Sequence, residues 1–174
     1  MSIFGAHPEP DPAEGVAENG RPRESVWDYP RPPRVEPVAR RVRVSLGGAG
    51  LVDTSQALRV LETAGAPTVY VPAGEVADGV LRPAAGTSFC EWKGTATYFD
   101  VVAGGRTAAR AAWTYERPSG PFAAIAGWIS FYPALVECLL DDEPVEPQPG
   151  GFYGGWVTAE ITGPIKGVPG SGGW

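Results

Sequence analysis

A thiol and an amine stand three residues apart in Thr87–Val102, TSFCEWKGTATYFDVV. Cys90 is the candidate nucleophile and Lys93 the candidate base or amine nucleophile. A thiol attacks as its thiolate, so it needs a neighbouring base or a cation that lowers its pKa. The only histidine in the sequence is His7, far away in the N-terminal tail, so neither a Cys-His pair nor a Ser-His-Asp triad is at hand. Lys93 could act on Cys90 in its place. The simpler reading of Cys90 is an inert core thiol, because cysteine is among the most buried residue types. Lys93, buried beside Trp92, would lose pKa and become a base; at a turn it would be solvated. Glu62 is the second candidate proton carrier. One histidine and two separated thiols cannot build a zinc site. No spaced carboxylate loop joins Glu75, Asp78 and Glu91 as a hard cation requires. There is no Gly-rich phosphate loop either. The expectation is a domain without metal or other cofactor.

Strands are the elements that would position these groups. Side chains along a strand point alternately to its two faces. Ser88, Cys90 and Trp92 should share one face, and Phe89, Glu91 and Lys93 the other. Lys93-Gly94 is expected to form a tight two-residue turn, since glycine accepts the positive φ such a turn needs. Thr95–Val102 returns as a second strand with Ala96, Tyr98, Asp100 and Val102 on one face. Arg106–Tyr115 follows as a third, with Ala109, Ala111, Trp113 and Tyr115 on one face. Small residues beside large aromatics leave a hollow, which fits a pocket wall and equally a core packed by alternating sizes.

The chain has 174 residues, enough for one domain with tails. Hydrophobic residues make up 43%, sufficient for a core, while 24 glycines and 19 prolines favour turns and short strands. The net charge of −6, with no basic run, argues against DNA or RNA as a partner. No apolar run reaches a membrane span, and the N-terminus lacks the basic start and apolar stretch of a secretory signal. Cytoplasmic, reduced thiols are therefore expected.

Three regions are expected. Residues 1–23 form an acidic, Pro- and Gly-rich tail that would be disordered in isolation. Residues 24–145 form the domain, and residues 146–174 a Gly-rich extension pinned to it by Trp156 and Trp174. Trp27 and Tyr29 should anchor an extended, proline-stiffened segment on the domain surface. Arg40–Leu46 and Thr68–Val71, the latter carrying Tyr70, read as strands. Thr54–Ala64 reads as a short helix, with Ala57, Leu58, Leu61 and Ala64 at helical spacing behind an Asp53 or Thr54 cap. Arg59 and Glu62 would pair on its outer side. Ala123–Tyr132 reads as a strand with Trp128, Ser130 and Tyr132 opposite Ile129 and Phe131. Ala134–Leu140, containing Cys138, reads as a turn or two of helix.

The segments PPRVE, TSQALRVLE, VYVP, TSFCEWKGTATY, AAWTYERP and IAGWISFYP occur in this order. With them, residues 24–145 resemble domain-of-unknown-function family 427, sometimes labelled nucleotidyltransferase-like. The tail GFYGGWVTAEITGPIKG resembles extensions of actinobacterial members. The resemblance implies a mainly β, α+β architecture called a β-tent, two small antiparallel sheets meeting at an angle, as in methionine sulfoxide reductases. Several tents hold zinc on paired CxxC motifs, which this sequence lacks. Glu91 and Trp92 stand where the family usually has proline and a small aromatic. The site candidates it implies are Arg59, Glu62, Tyr70, Cys90, Lys93, Tyr98, Trp113 and Tyr115, with Trp92 added from the strand pattern.

Together these features point to a cofactor-free domain that binds a small molecule in an aromatic pocket. Acid–base chemistry could run there through Lys93 and Glu62. The rivals are a non-catalytic interaction or homo-oligomerisation domain, and a thiol enzyme using Cys90.

Overall fold

Val42, Val44 and Leu46 are buried while Arg43 and Ser45 between them are half-exposed, the alternation of a strand with one face on a core. In the computed structural model, which describes residues 7–174, this strand belongs to a mainly β fold. In chain order the strands are β1 (Glu24–Ser25), β2 (Arg34–Pro37), β3 (Val42–Leu46), β4 (Ala49–Thr54), β5 (Leu58–Leu61) and β6 (Thr68–Val71). Then come β7 (Leu81–Cys90), β8 (Gly94–Ala103), β9 (Arg106–Thr114), β10 (Ile129–Phe131) and β11 (Glu137–Leu140). The short strands β12 (Glu143–Pro144), β13 (Glu146–Pro147), β14 (Trp156–Val157) and β15 (Ile161–Thr162) complete the series.

Two antiparallel sheets dominate, but they are not both small. One has seven strands in the order β2-β5-β6-β10-β9-β8-β7, the other four in the order β12-β11-β3-β4. The main core lies between them, where Val42, Val44, Leu51 and Cys138 of the smaller sheet meet Val69, Val71, Val101 and Phe131 of the larger. The opposite face of the large sheet carries a second, aromatic cluster built on Tyr70, Trp113, Tyr115 and Phe122. Along β10 the expected alternation holds. Ile129 and Phe131 enter the main core, while Trp128 and Tyr132 flank the aromatic cluster.

The segment expected to be helical, residues 54–64, is strand β5 and its flanking turns. Thr54 Oγ1 does accept from the Gln56 N–H, as a helix cap would, at 3.1 Å. The chain then extends, because Leu58–Leu61 is hydrogen-bonded to β2 on one side and β6 on the other. A helix there would leave the inner edges of both strands unpaired, a cost that outweighs the small helical preference of this sequence. Residues 134–140 likewise contain strand β11, with Cys138 opposite Val44. Helical structure among the described residues is confined to short 3-10 segments, Val26–Asp28, Ala73–Glu75 and Gly120–Ile125.

Both tails pack on the domain. Of the acidic tail, residues 1–6 lie outside the described residues. The remainder is ordered by pairing: Val16 bridges Pro22, and the Asn19 amide donates to Glu143 at 2.9 Å and Glu160 at 2.7 Å. These partners offset the low hydrophobicity that suggests disorder. In the C-terminal extension the Trp156 indole is buried and donates to the Phe131 carbonyl at 3.0 Å. Trp27 donates to the Pro164 carbonyl at 2.9 Å and meets the Trp174 ring edge-on at 5.5 Å.

Candidate functional site

One row of paired residues crosses the large sheet: Tyr98 on β8 opposes Trp113 on β9, which opposes Ser130 on β10, which opposes Tyr70 on β6, which opposes Leu58 on β5. Residues directly paired across a sheet share a face. The row therefore lines two phenols and an indole along the side away from the main core. Ser130 sits at its centre, fully buried, with its hydroxyl donating to the Val69 carbonyl at 2.8 Å.

Above this row lies a cavity of about 250 Å³. Its floor and walls include Tyr70, Tyr98, Trp113, Tyr115 and Tyr132. Glu62, Cys90, Lys93 and Lys166 bring ionisable groups to it. Its far side is the C-terminal extension, through Tyr153, Gly154 and Gly155. The small residues that leave room are Gly65, Ala66, Gly154 and Gly155, not the alanines of β9. Ala111 and Ala112 belong instead to the core between the sheets, where β9 is thrown out of simple alternation by an irregularity in its pairing with β8 between Phe99 and Val101.

Gln148 fastens the extension over the cavity. Its side-chain oxygen accepts from the Ala66 N–H at 3.2 Å, and its amide donates to the Lys166 carbonyl at 2.8 Å. The Lys166 N–H donates to the Ala64 carbonyl at 2.8 Å, so the backbone carrying this lysine is fixed at both its polar groups. On the other wall, Cys90 pairs with Gly94, leaving Glu91, Trp92 and Lys93 as the loop of the β7–β8 hairpin. The expected two-residue turn at Lys93-Gly94 is thus a three-residue loop, which ends on Gly94 at φ +100. Face alternation fails within it, which is how Lys93 and Cys90 reach the same cavity. Ser119 braces the loop, its hydroxyl donating to the Trp92 carbonyl and its N–H to the Lys93 carbonyl.

The phenols are held protonated. Burial raises the Tyr70 and Tyr115 hydroxyls above their ordinary value, and the Glu62 charge adds to the rise at Tyr115. Burial, with Tyr98 beside it, pushes Tyr132 up to about 12. They are therefore hydrogen-bond donors at neutral pH. Tyr98 shares a hydrogen bond with Ser88 at 2.7 Å, and Trp113 donates to the Tyr70 oxygen at 3.4 Å. The Lys93 ammonium lies 5.6 Å from the centre of the Tyr115 ring. Among the described residues neither Lys93, Lys166 nor Glu62 pairs with an oppositely charged side chain.

Of the residues singled out from sequence, the fold gathers Glu62, Tyr70, Cys90, Lys93, Tyr98, Trp113 and Tyr115 around this one cavity. Trp92 packs against the aromatic cluster without lining the cavity. Arg59 lies apart. It does not pair with Glu62, as a helix would allow, because β5 turns it toward Glu24 and its cross-strand neighbour Glu36. Arg59 lines a separate cavity of about 240 Å³ together with Arg40 and Glu160. Sequence reasoning missed Tyr132, Gln148 and Lys166. Tyr132 was legible from its alternation with Trp128. Lys166 had a different signal: Lys93 and Lys166 are the only lysines in a sequence that holds 14 basic residues in all.

Among the described residues no three His, Cys, Asp or Glu side chains cluster as metal ligands would. No helix among them is long and apolar enough to cross a membrane. The family described as Domain of unknown function (DUF427) matches residues 34–142. No curated protein matches the chain. The chain belongs to the DUF427 family, and the matched residues include the β7–β8–β9 meander with Lys93 but stop before the extension that supplies Lys166.

Proposed function

We propose that this protein is a cofactor-free, small-molecule-binding domain of the cytoplasm, with its ligand in the aromatic cavity between the large sheet and the C-terminal extension. The carrying observation is the convergence there of seven of the candidate residues, from three separated sequence segments. A concave, mostly apolar site with aromatic walls and a few converging polar groups is the usual form of a ligand pocket. A volume of about 250 Å³ suits a small molecule. Lys93 and Glu62 bring an amine and a carboxylate to the same cavity, groups suited to proton transfer to and from a bound substrate.

A second reading has an observation in its favour. Phe89 and Phe152 are 78% and 71% exposed, which suits a surface that docks a partner or a second copy of the chain. A thermal-shift screen with nucleotides, peptides and acyl metabolites separates the two. Stabilisation that grows with compound concentration supports ligand binding. Concentration-dependent self-association with no stabilising compound supports the interaction reading. For a stabilising compound that also turns over, Lys93→Met and Glu62→Gln should abolish turnover.

A further inference from the structure

Both lysines of the sequence line the same cavity, one on each wall. Lys93 arrives from the loop of the β7–β8 hairpin. Lys166 arrives from the C-terminal extension, more than seventy residues later. The other cationic residues are all arginines, and Arg21, Arg34, Arg40, Arg41, Arg43 and Arg59 are held in ion pairs. Neither lysine pairs with an Asp or Glu side chain among the described residues.

Lys166 uses one of its three ammonium protons on the main-chain oxygen of Trp174 at 3.1 Å and rests 5.5 Å from the centre of the Tyr153 ring. Lys93 has only the face of Tyr115. Glu62 is the single carboxylate side chain lining the cavity, against two lysines, within a chain of net charge −6. Tyr115 lines the cavity, and its hydroxyl, which makes no hydrogen bond among the described residues, is a further donor. Phe89 and Phe152, the two most exposed large apolar side chains among the described residues, both stand on the cavity's lining. A ligand with an apolar body would cover them.

We infer that the cavity takes a small anion on a flat apolar body, an aromatic acid or its phosphate counterpart, with the negative group held between Lys93 and Lys166. This rests on the cavity being a ligand site. It goes beyond that reading by fixing the charge and shape of the ligand and by giving the extension a binding residue. Ammonium groups and phenol donors suit an anion. A cation would find Glu62 and the aromatic faces, but those of Tyr115 and Tyr153 already carry the lysine ammoniums, which would repel it. Aromatic walls suit a planar ring.

Isothermal titration of the full chain tests it, with 2-naphthoate, 2-naphthyl phosphate, the neutral 2-naphthamide and the cation 2-naphthylmethylamine. At least one of the two anions should bind about tenfold or more tightly than the amide, and the amine more weakly still. Lys93→Met and Lys166→Met, which keep the apolar stem, should each weaken that anion by about tenfold and leave the amide within about twofold. Arg82→Met, on the exposed side of β7, should leave all affinities unchanged. Circular dichroism melts of each variant separate loss of binding from loss of fold. Amide or amine binding as tight as the anions, or anion binding unchanged in both lysine variants, overturns the charge assignment while leaving the cavity as a ligand site. Failure of all the naphthyl compounds to bind overturns both.

Discussion

Gly154 lies against the ring of Trp113. A Cβ at Gly154 would come within 2.8 Å of Cζ3 and closer still to Cη2 of the indole. The extension and the large sheet thus meet at a point where only glycine fits, and that point is one edge of the cavity. Gly154→Ala should force either the extension or the indole to move. A loss of about 1–3 kcal/mol, the usual cost of overpacking, is expected in a urea melt, with a shift in tryptophan fluorescence. Gly151→Ala, which meets nothing within 4 Å, should change neither.

Trp156 anchors the same extension two residues further on. Trp156→Phe keeps most of the buried ring but deprives the Phe131 carbonyl of its donor. A destabilisation of about 1–3 kcal/mol should follow, since a buried acceptor is left unsatisfied. Trp156→Ala should cost about 3–5 kcal/mol. Equal melts for wild type and Trp156→Phe would show that the extension is not held this way.

The two thiols should react unequally. Cys138 is buried, and burial pushes its thiol well above the ordinary value, so it lacks the thiolate that alkylation needs. Cys90 lines the cavity and is only half-buried. Iodoacetamide should therefore label Cys90 in the native protein and Cys138 only after unfolding, as peptide mass mapping would show. A cavity ligand should slow the labelling of Cys90.

Stability should fall at high pH. The Tyr70, Tyr115 and Tyr132 hydroxyls have folded pKa values above the ordinary value of 10.0. The folded state therefore keeps protons that the unfolded state loses, and the stabilisation is full below pH 10 and declines above it, through about 12 for Tyr132. At the acid end the sign reverses. The Arg41 N–H and the Arg40 guanidinium hold the Asp141 carboxyl below its ordinary value. At Glu143 partial burial opposes the charge, but hydrogen bonds from Asn19, the Ala159 N–H and Arg40 outweigh it. Their contribution is present above about pH 4 and lost as the pH falls further. Urea midpoints measured from pH 3 to 12 should trace both slopes, and phenol absorbance should show ionisation of these tyrosines lagging behind that of free tyrosine.

The chemistry of the site was more legible than the elements that carry it. Cys90, Tyr98, Trp113 and Tyr115 could be placed because the β7–β8–β9 meander is local, with short turns marked by glycine. Tyr70 and Tyr132 lie on short strands whose alternation is also local. Leu58–Leu61 was misread as helix because its apolar spacing fits either period, and the deciding partners, β2 and β6, lie outside the window that periodicity inspects. Glu62 reached the site all the same, through the turn that follows β5. The cover formed by Gln148, Gly154 and Lys166 left no periodic trace. Its order comes from single long-range hydrogen bonds and close glycine contacts, which appear only once the extension is folded back.

The cavity can be filled without disturbing its frame. A Cβ at Gly65 meets only ordinary contacts, the nearest being the Glu62 carbonyl at 3.6 Å, and Gly65 lines the cavity. Gly65→Leu should occupy space between Tyr70 and the extension. A circular dichroism melt checks that it folds as wild type does with the neighbouring Gln148 still in place. The direct measurement is the ligand-induced shift in melting temperature, taken in parallel on wild type and Gly65→Leu with the same small-molecule set. Compounds that raise the melting temperature of wild type with increasing concentration, and leave Gly65→Leu unmoved, are the expected result. Equal shifts in both proteins, or no shift of wild type by any compound, would contradict a ligand site between the large sheet and its C-terminal cover.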